Sequence, residues 1–249
     1  MANDLTSKVA VVTGASKGIG AAVARHLANA GASVVVNYSS SREGAERVVQ
    51  AIEKEGGRAI AVGANLAKPE EVAKLFEDAQ KAFGRLDILV NNAGIYDFAP
   101  LEGITPEHFH KHFDLNVLGL ILATKEAAAR FGPEGGTVIN ISSVVSTHPM
   151  PGASVYSATK AAVDAVTKSL AQELGGRKIR VNSINPGPVM TEGTSGFSEG
   201  EMFEEFAKKT PLGRIGQPDD IARAVLFLAG EDSGWITGEV IHTAGGLRG

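Results

Sequence analysis

Seven short apolar, β-branched runs separated by longer stretches of helical period predict an α/β fold of the doubly wound type, a parallel seven-stranded sheet with helices on both faces. A glycine-rich turn between the first run and the first helical stretch agrees, since an open parallel sheet takes its ligand at such a turn. Neither a linker nor an internal repeat breaks the alternation, so residues 1–249 read as a single domain.

The runs are Lys8–Thr13, Ser33–Asn37, Arg58–Val62, Leu86–Val90, Gly136–Ile141, Ile179–Ile184 and Gly238–His242. They are rich in Val and Ile, as strands covered on both faces should be. Between them, 18–30, 41–55, 69–82, 106–131, 152–175 and 217–229 carry Ala, Leu, Glu and Lys at helical spacing and mostly open near Pro, Ser or Asp. Each such helix serves as a right-handed crossover between parallel strands. The rhythm fails at 185–216, where Pro186, Gly187, Pro188, Gly193, Gly196 and Gly200 surround a short helical stretch, Glu199–Lys209. A substrate loop or lid is expected there, at about 188–212.

Composition narrows the function. With 43% apolar and 21% charged residues and a mean hydropathy of +0.02, the chain can bury a sizeable core. Lys and Arg total 24 against 28 Asp and Glu, a net charge of −4 that gives no general attraction to phosphate backbones or anionic lipid. Nucleic-acid and membrane partners are therefore not expected. Met1–Lys8 lacks the basic start and apolar stretch of a signal peptide, and no run of about 18 apolar residues follows, so a cytoplasmic protein is expected. The absence of cysteine excludes disulfides, thiolate zinc sites and a cysteine nucleophile. Glu107–His112 contains three histidines, but on a helix 108 and 112 share a face while 110 points away, so no metal site is expected.

Thr13-Gly14-Ala15-Ser16-Lys17-Gly18-Ile19-Gly20 joins the first strand to the first helix. Glycine there permits positive φ and close backbone approach, and the helix start offers unpaired N–H groups to a pyrophosphate. A dinucleotide is the expected ligand, although the spacing G-x-x-x-G-x-G differs from G-x-G-x-x-G.

This turn, Asn91-Asn92-Ala93-Gly94 after the fourth strand, Asn116, Ser143, and Tyr156-Ser157-Ala158-Thr159-Lys160 together resemble the short-chain dehydrogenase/reductase family over the whole chain. The resemblance implies a Rossmann-type sheet and an oxidoreductase that moves a hydride between a nicotinamide and a carbonyl or secondary alcohol. It implies that Tyr156 exchanges the proton with the substrate oxygen, that Ser143 steadies that oxygen, and that Asn116 holds a water linking Lys160 to solvent. Ser142 is the neighbouring alternative to Ser143; the spacing to Tyr156 favours Ser143. Tyr156 and Lys160 stand at i and i+4, one face of a helix, so the ammonium is expected to make the phenol more acidic. The same resemblance assigns the cofactor to Gly14, Ser16, Lys17, Gly18, Ile19 and Gly20 in the first turn, and to Asn92, Ala93 and Gly94 after the fourth strand. Tyr156, Lys160, Pro186, Gly187, Val189 and Thr191 complete that set near the nicotinamide.

An acid at the end of the second strand would hold both ribose hydroxyls and repel a 2′-phosphate; here Asn37 stands there, followed by Tyr38, Ser39 and Arg42. With Lys17 and Arg42 able to meet a phosphate, NADP(H) is expected. Asn65-Leu66, where an acid would meet the adenine amino group, leaves an amide carbonyl as acceptor. Ser143, Tyr96, His148, Met150 and Met190, with Phe98, outline a largely apolar substrate pocket, favouring a small-molecule ketone or aldehyde. Two alternatives stay open: a 3-oxoacyl-carrier-protein reductase, for which Arg130 and Arg177 would supply a basic rim, and a non-catalytic dinucleotide-binding regulator. A homotetramer built through the helices 106–131 and 152–175 and the C-terminal strand is expected from the resemblance.

Overall fold

The computed structural model describes residues 4–192 and 201–247. Its strands are β1 (Val9–Val12), β2 (Ser33–Tyr38), β3 (Arg58–Gly63), β4 (Ile88–Asn91), β5 (Gly136–Ile141), β6 (Ile179–Pro186) and β7 (Val240–Thr243). They form one parallel sheet in the order β3-β2-β1-β4-β5-β6-β7. The helices are α1 (Gly18–Asn29), α2 (Arg42–Lys54), α3 (Pro69–Phe83), α4 (Pro106–Phe113), α5 (Leu120–Arg130), α6 (Ser154–Leu174), α7 (Glu201–Lys209) and α8 (Pro218–Ala229). All seven predicted strands are present.

Strand alternation divides the core in two. Ala10, Val12, Val34 and Val36 pack with α1, α2 and α8, while Val9, Val11, Val35 and Val181 pack on the other side with α3, α5 and the C-terminal half of α6. Local chemistry sets the helix starts: Pro69, Pro106 and Pro218 occupy first-turn positions, and the Thr105 hydroxyl accepts from the His108 N–H. The order of strands reverses between β1 and β4, which opens a crevice at their C-terminal ends.

The expected helix over 106–131 is interrupted. Between α4 and α5, Asp114–Gly119 winds as a π turn and Asn116 falls inside it. Gly119 lets that turn press against the sheet side, since a Cβ there would lie 2.7 Å from the Leu66 carbonyl oxygen. Of the expected lid, 193–200 lies outside the described residues, including the first two residues of the predicted helical stretch, whose described part is α7.

Candidate active site

The glycine turn lies at the crevice. Gly14 and Gly18 have φ of +62° and +57°, and a Cβ on Gly20 would stand 2.5 Å from Asn92 Nδ2. Asn92 Nδ2 bonds the carbonyls of Thr13 and Gly14, and the Thr13 hydroxyl receives the N–H groups of Asn92 and Ala93. Thr13 thus laces the ends of β1 and β4 together, a part that its ordinary appearance in the sequence concealed. Ser16 and Ile19 are half-buried, Ile19 against the core, and Lys17 is exposed.

Whether this turn suits a pyrophosphate is answered by a carboxylate. The first turn of α1 has no acid of its own and no side-chain cap, and the Gly18 N–H donates to Glu192 Oε2 at 3.0 Å. An anionic oxygen therefore already rests where the helix start attracts one. Thr191 leans over the same glycine, its Cβ 3.4 Å from where a Gly18 Cβ would be. Val189 is buried and bridges to Gly216, while Pro186 ends β6 and the Gly187 N–H donates to Thr243.

Asn116, Ser143, Tyr156 and Lys160 come together beside this cradle. Lys160 Nζ is 5.7 Å from the Tyr156 ring centroid and donates to the Ile141 carbonyl at 2.8 Å. Gly94 is where the group closes, since its Cβ would lie 3.2 Å from Asn116 Oδ1 and 3.7 Å from Lys160 Nζ. The Ser143 hydroxyl bonds Tyr156 and accepts from the Val145 N–H at 3.3 Å. Ser142 is buried instead, its hydroxyl tied to the Lys160 carbonyl at 3.0 Å, so the geometry separates the two serines.

One expectation about this group needs correction, the acidity of Tyr156. The Asn116 side chain exchanges both hydrogen bonds with Ile95, at 2.9 Å each, and also donates to the Thr159 hydroxyl. It braces the loop after β4, with both amide hydrogens engaged and the second lone pair of Oδ1 left to accept. The Tyr156 phenol is not acidic in the protein alone: burial pushes it up to about 12, the Ser143 hydrogen bond works against that rise and the Tyr96 phenol adds to it. Burial draws Lys160 from 10.5 down to about 8, opposed by the Asp164 carboxylate one turn further along α6. In the protein alone the phenol is held as a neutral proton donor.

The end of β2 also differs from expectation. Asn37 points inward, 1% exposed, with Oδ1 receiving the Gly14 N–H and Nδ2 donating to Val62 and Ala64. By strand alternation Tyr38 lies on the opposite face, half-buried, and its ring covers Gly63. Ser16 and Ser41 converge on Gly44 at the start of α2, Ser39 is exposed beside them, and Arg42 bonds Glu46 through Nε at 2.7 Å. Asn65 Oδ1 accepts the Ala67 N–H, and Leu66 is a core residue.

On the substrate side, Tyr96 and Phe98 pack around Tyr156 with ring centroids 6.1 and 6.3 Å away. Their loop joins the one carrying Met150 through the Ala99 N–H and the Gly152 carbonyl. It is also pinned from α4: buried His112 accepts the Asp97 N–H at Nε2 and donates from Nδ1 to His108. His110 lies on the outer face near Asp114, so the three histidines do not converge. His148 contacts Thr147 on the Ser143 segment, and Met190 is half-buried after β6.

A glycine cradle for a dinucleotide beside a half-buried phenol and hydroxyl and a buried ammonium defines a dinucleotide-dependent oxidoreductase. The family model described as enoyl-(acyl carrier protein) reductase matches residues 14–248, and the chain belongs to the short-chain dehydrogenase/reductase family. It is 56% identical over 246 residues to an oxidoreductase of Methylorubrum extorquens, covering 98% of this chain and 99% of that one. With versicolorin reductase of Emericella nidulans it shares 39% over 253 residues, covering 97% and 96% of the two chains. Among solved structures, a short-chain dehydrogenase/reductase from Serratia marcescens superposes with a TM-score of 0.95 at 37% identity, over 99% of this chain and all of that one. The angucycline C-6 ketoreductase LanV with bound NADP does so with 0.93 at 38%, over 98% and 97%.

Proposed function

We propose that this enzyme reduces ketones to secondary alcohols with NADPH. The observation that carries the reading is the neutral Tyr156 phenol, bonded by Ser143 and set above Lys160, at the mouth of the glycine cradle. The dinucleotide, when bound, supplies the hydride to the carbonyl carbon. Tyr156 gives its proton to the carbonyl oxygen, and Ser143, whose oxygen is satisfied by Val145, turns its hydrogen toward that same oxygen. Lys160, near 8, carries a proton at neutral pH and places positive charge beside the phenolate that forms. Gly14, Gly18 and the start of α1 hold the pyrophosphate, displacing the Glu192 carboxylate. Ser16, Ser41, Lys17 and the start of α2 receive the 2′-phosphate, with no acid at the end of β2 to repel it.

The rings of Tyr96, Phe98 and Tyr156 favour a flat, apolar ketone, and the proteins similar to this chain include a versicolorin reductase and an angucycline C-6 ketoreductase. A carrier-protein substrate is less well served. Arg130 is bonded to Glu126 and Arg177 to the Ala128 carbonyl, so neither forms an open basic rim. Initial rates on a flat aryl ketone, a linear ketone and a carrier-bound 3-oxoacyl thioester, with each nucleotide, test both halves of the reading. The aryl ketone with NADPH is expected to be turned over fastest, by about tenfold over NADH. A preference for NADH overturns the cofactor assignment, and a carrier thioester outrunning its free ketoester overturns the substrate class.

The enzyme works as a homotetramer in this reading. Trp235, in the connection before β7, is fully exposed, and Phe227 on α8, Leu118 in the π turn and Ile121 on α5 are all more than a third exposed. Light scattering should return four times the 25.8 kDa chain mass, and Trp235→Glu should lower it. A wild-type monomer would refute the assembly.

A further inference from the structure

Asp164 is a buried carboxyl that the reaction as described leaves unused. It stands one turn beyond Lys160 on α6, 8% exposed, and faces the C-terminal end of β6. The Ser183 hydroxyl lies 3.0 Å from Asp164 Oδ1 and also 3.0 Å from Asn185 Oδ1, and Asn185 Nδ2 donates to Asp164 Oδ2 at 2.9 Å. Both Ser183 and Asn185 are fully buried. The same amide nitrogen lies 3.1 Å from the Ser143 carbonyl oxygen and 2.9 Å from the Ser146 hydroxyl, so its two hydrogens are shared among three acceptors. Those two residues bracket the short turn that begins at Ser143.

Stability does not explain this arrangement. Well-packed apolar residues in place of a buried polar cluster are commonly neutral or stabilising, whereas a buried carboxyl must be fully hydrogen-bonded to be tolerated at all. What the cluster supplies is direction. Asp164 fixes which way the Asn185 amide faces, and the amide holds both ends of the Ser143 turn from below while the Ser143 hydroxyl points at Tyr156.

We infer that Asp164 and Asn185 are positioning residues for Ser143, fixing its hydroxyl against the substrate oxygen through the backbone of its turn. This rests on the reading of Ser143 given above. Because Asn185 acts only through Ser143, the two should be coupled completely in a double-mutant cycle. Turnover at saturating NADPH and ketone should fall about tenfold in Asn185→Ala, with the KM for NADPH kept within about twofold. In a Ser143→Ala background the same change should cost nothing further. Asp164→Ala, read like the next variant at pH 6 so that Lys160 keeps its proton without that carboxylate, should behave like Asn185→Ala and serves in its place if the latter does not fold. Asp164→Asn should recover turnover to within about threefold of wild type, since the new amide can accept from Asn185 and donate to Ser183. A merely structural role would lower turnover equally in both backgrounds, and that result, or wild-type turnover in Asn185→Ala, overturns the inference. Full turnover in Ser143→Ala alone would instead overturn the role given to Ser143 itself.

Discussion

Tyr156→Phe should lower turnover by about a thousandfold while leaving nucleotide affinity within about twofold of wild type, because the loss is of one general acid and nothing else. The ring keeps its contacts with Tyr96 and Phe98, so the substrate wall stays in place. Lys160 is held by the Ile141 carbonyl rather than by the phenol, so its position survives the change. Ser143 retains the Val145 N–H. Single-turnover kinetics give the first quantity and a fluorescence titration with NADPH the second. Undiminished turnover would remove the phenol from the reaction, and loss of both activity and binding would show damage to the site rather than to the chemistry.

Lys160→Met should abolish most turnover and yet stabilise the protein at neutral pH. Lys160 is 6% exposed and drawn from 10.5 to about 8 in the folded state, so between those values the unfolded chain holds the extra proton. Wild-type stability therefore rises as pH climbs through that window and is least below about 8, where the buried ammonium costs about 3 kcal/mol. Methionine removes that cost and forfeits the bond to Ile141, worth about 1 kcal/mol, leaving a melting temperature a few degrees higher at pH 7. The advantage should shrink toward pH 10.5. Thermal unfolding at both ends of the range measures it, and a lower melting temperature at pH 7 would contradict the account.

Much of this was readable from sequence for identifiable reasons. Runs such as Val9–Val12 and Ser33–Tyr38 are apolar on both faces, which only a covered parallel strand requires. Tyr156 and Lys160 were legible through the family resemblance that their motif carries, with helical spacing adding only that they share a face. What stayed hidden lies at single-residue resolution. Asn37 turns inward while Tyr38 does not because adjacent strand residues face opposite sides, and no pattern in the run Val34–Tyr38 marks which one is buried. The Asn65 side chain folds onto its own chain, a local choice that leaves no periodic trace. Glu192 and Thr13 meet their partners across 174 and about 80 residues of chain respectively, and a linear reading has no access to such pairs. Asp164 sits on a helix whose neighbours are alanine and valine, where a lone acid reads as solvent-facing.

The π turn at Asp114–Gly119 has a consequence for how this segment tolerates change. It behaves as a one-residue insertion locked into an otherwise regular rod. Deleting any residue within it would permit ordinary helix and would rotate α4, with the histidine that pins the Asp97 loop, by about 100° relative to α5. The length of this stretch is therefore fixed independently of the side chains that it carries outward.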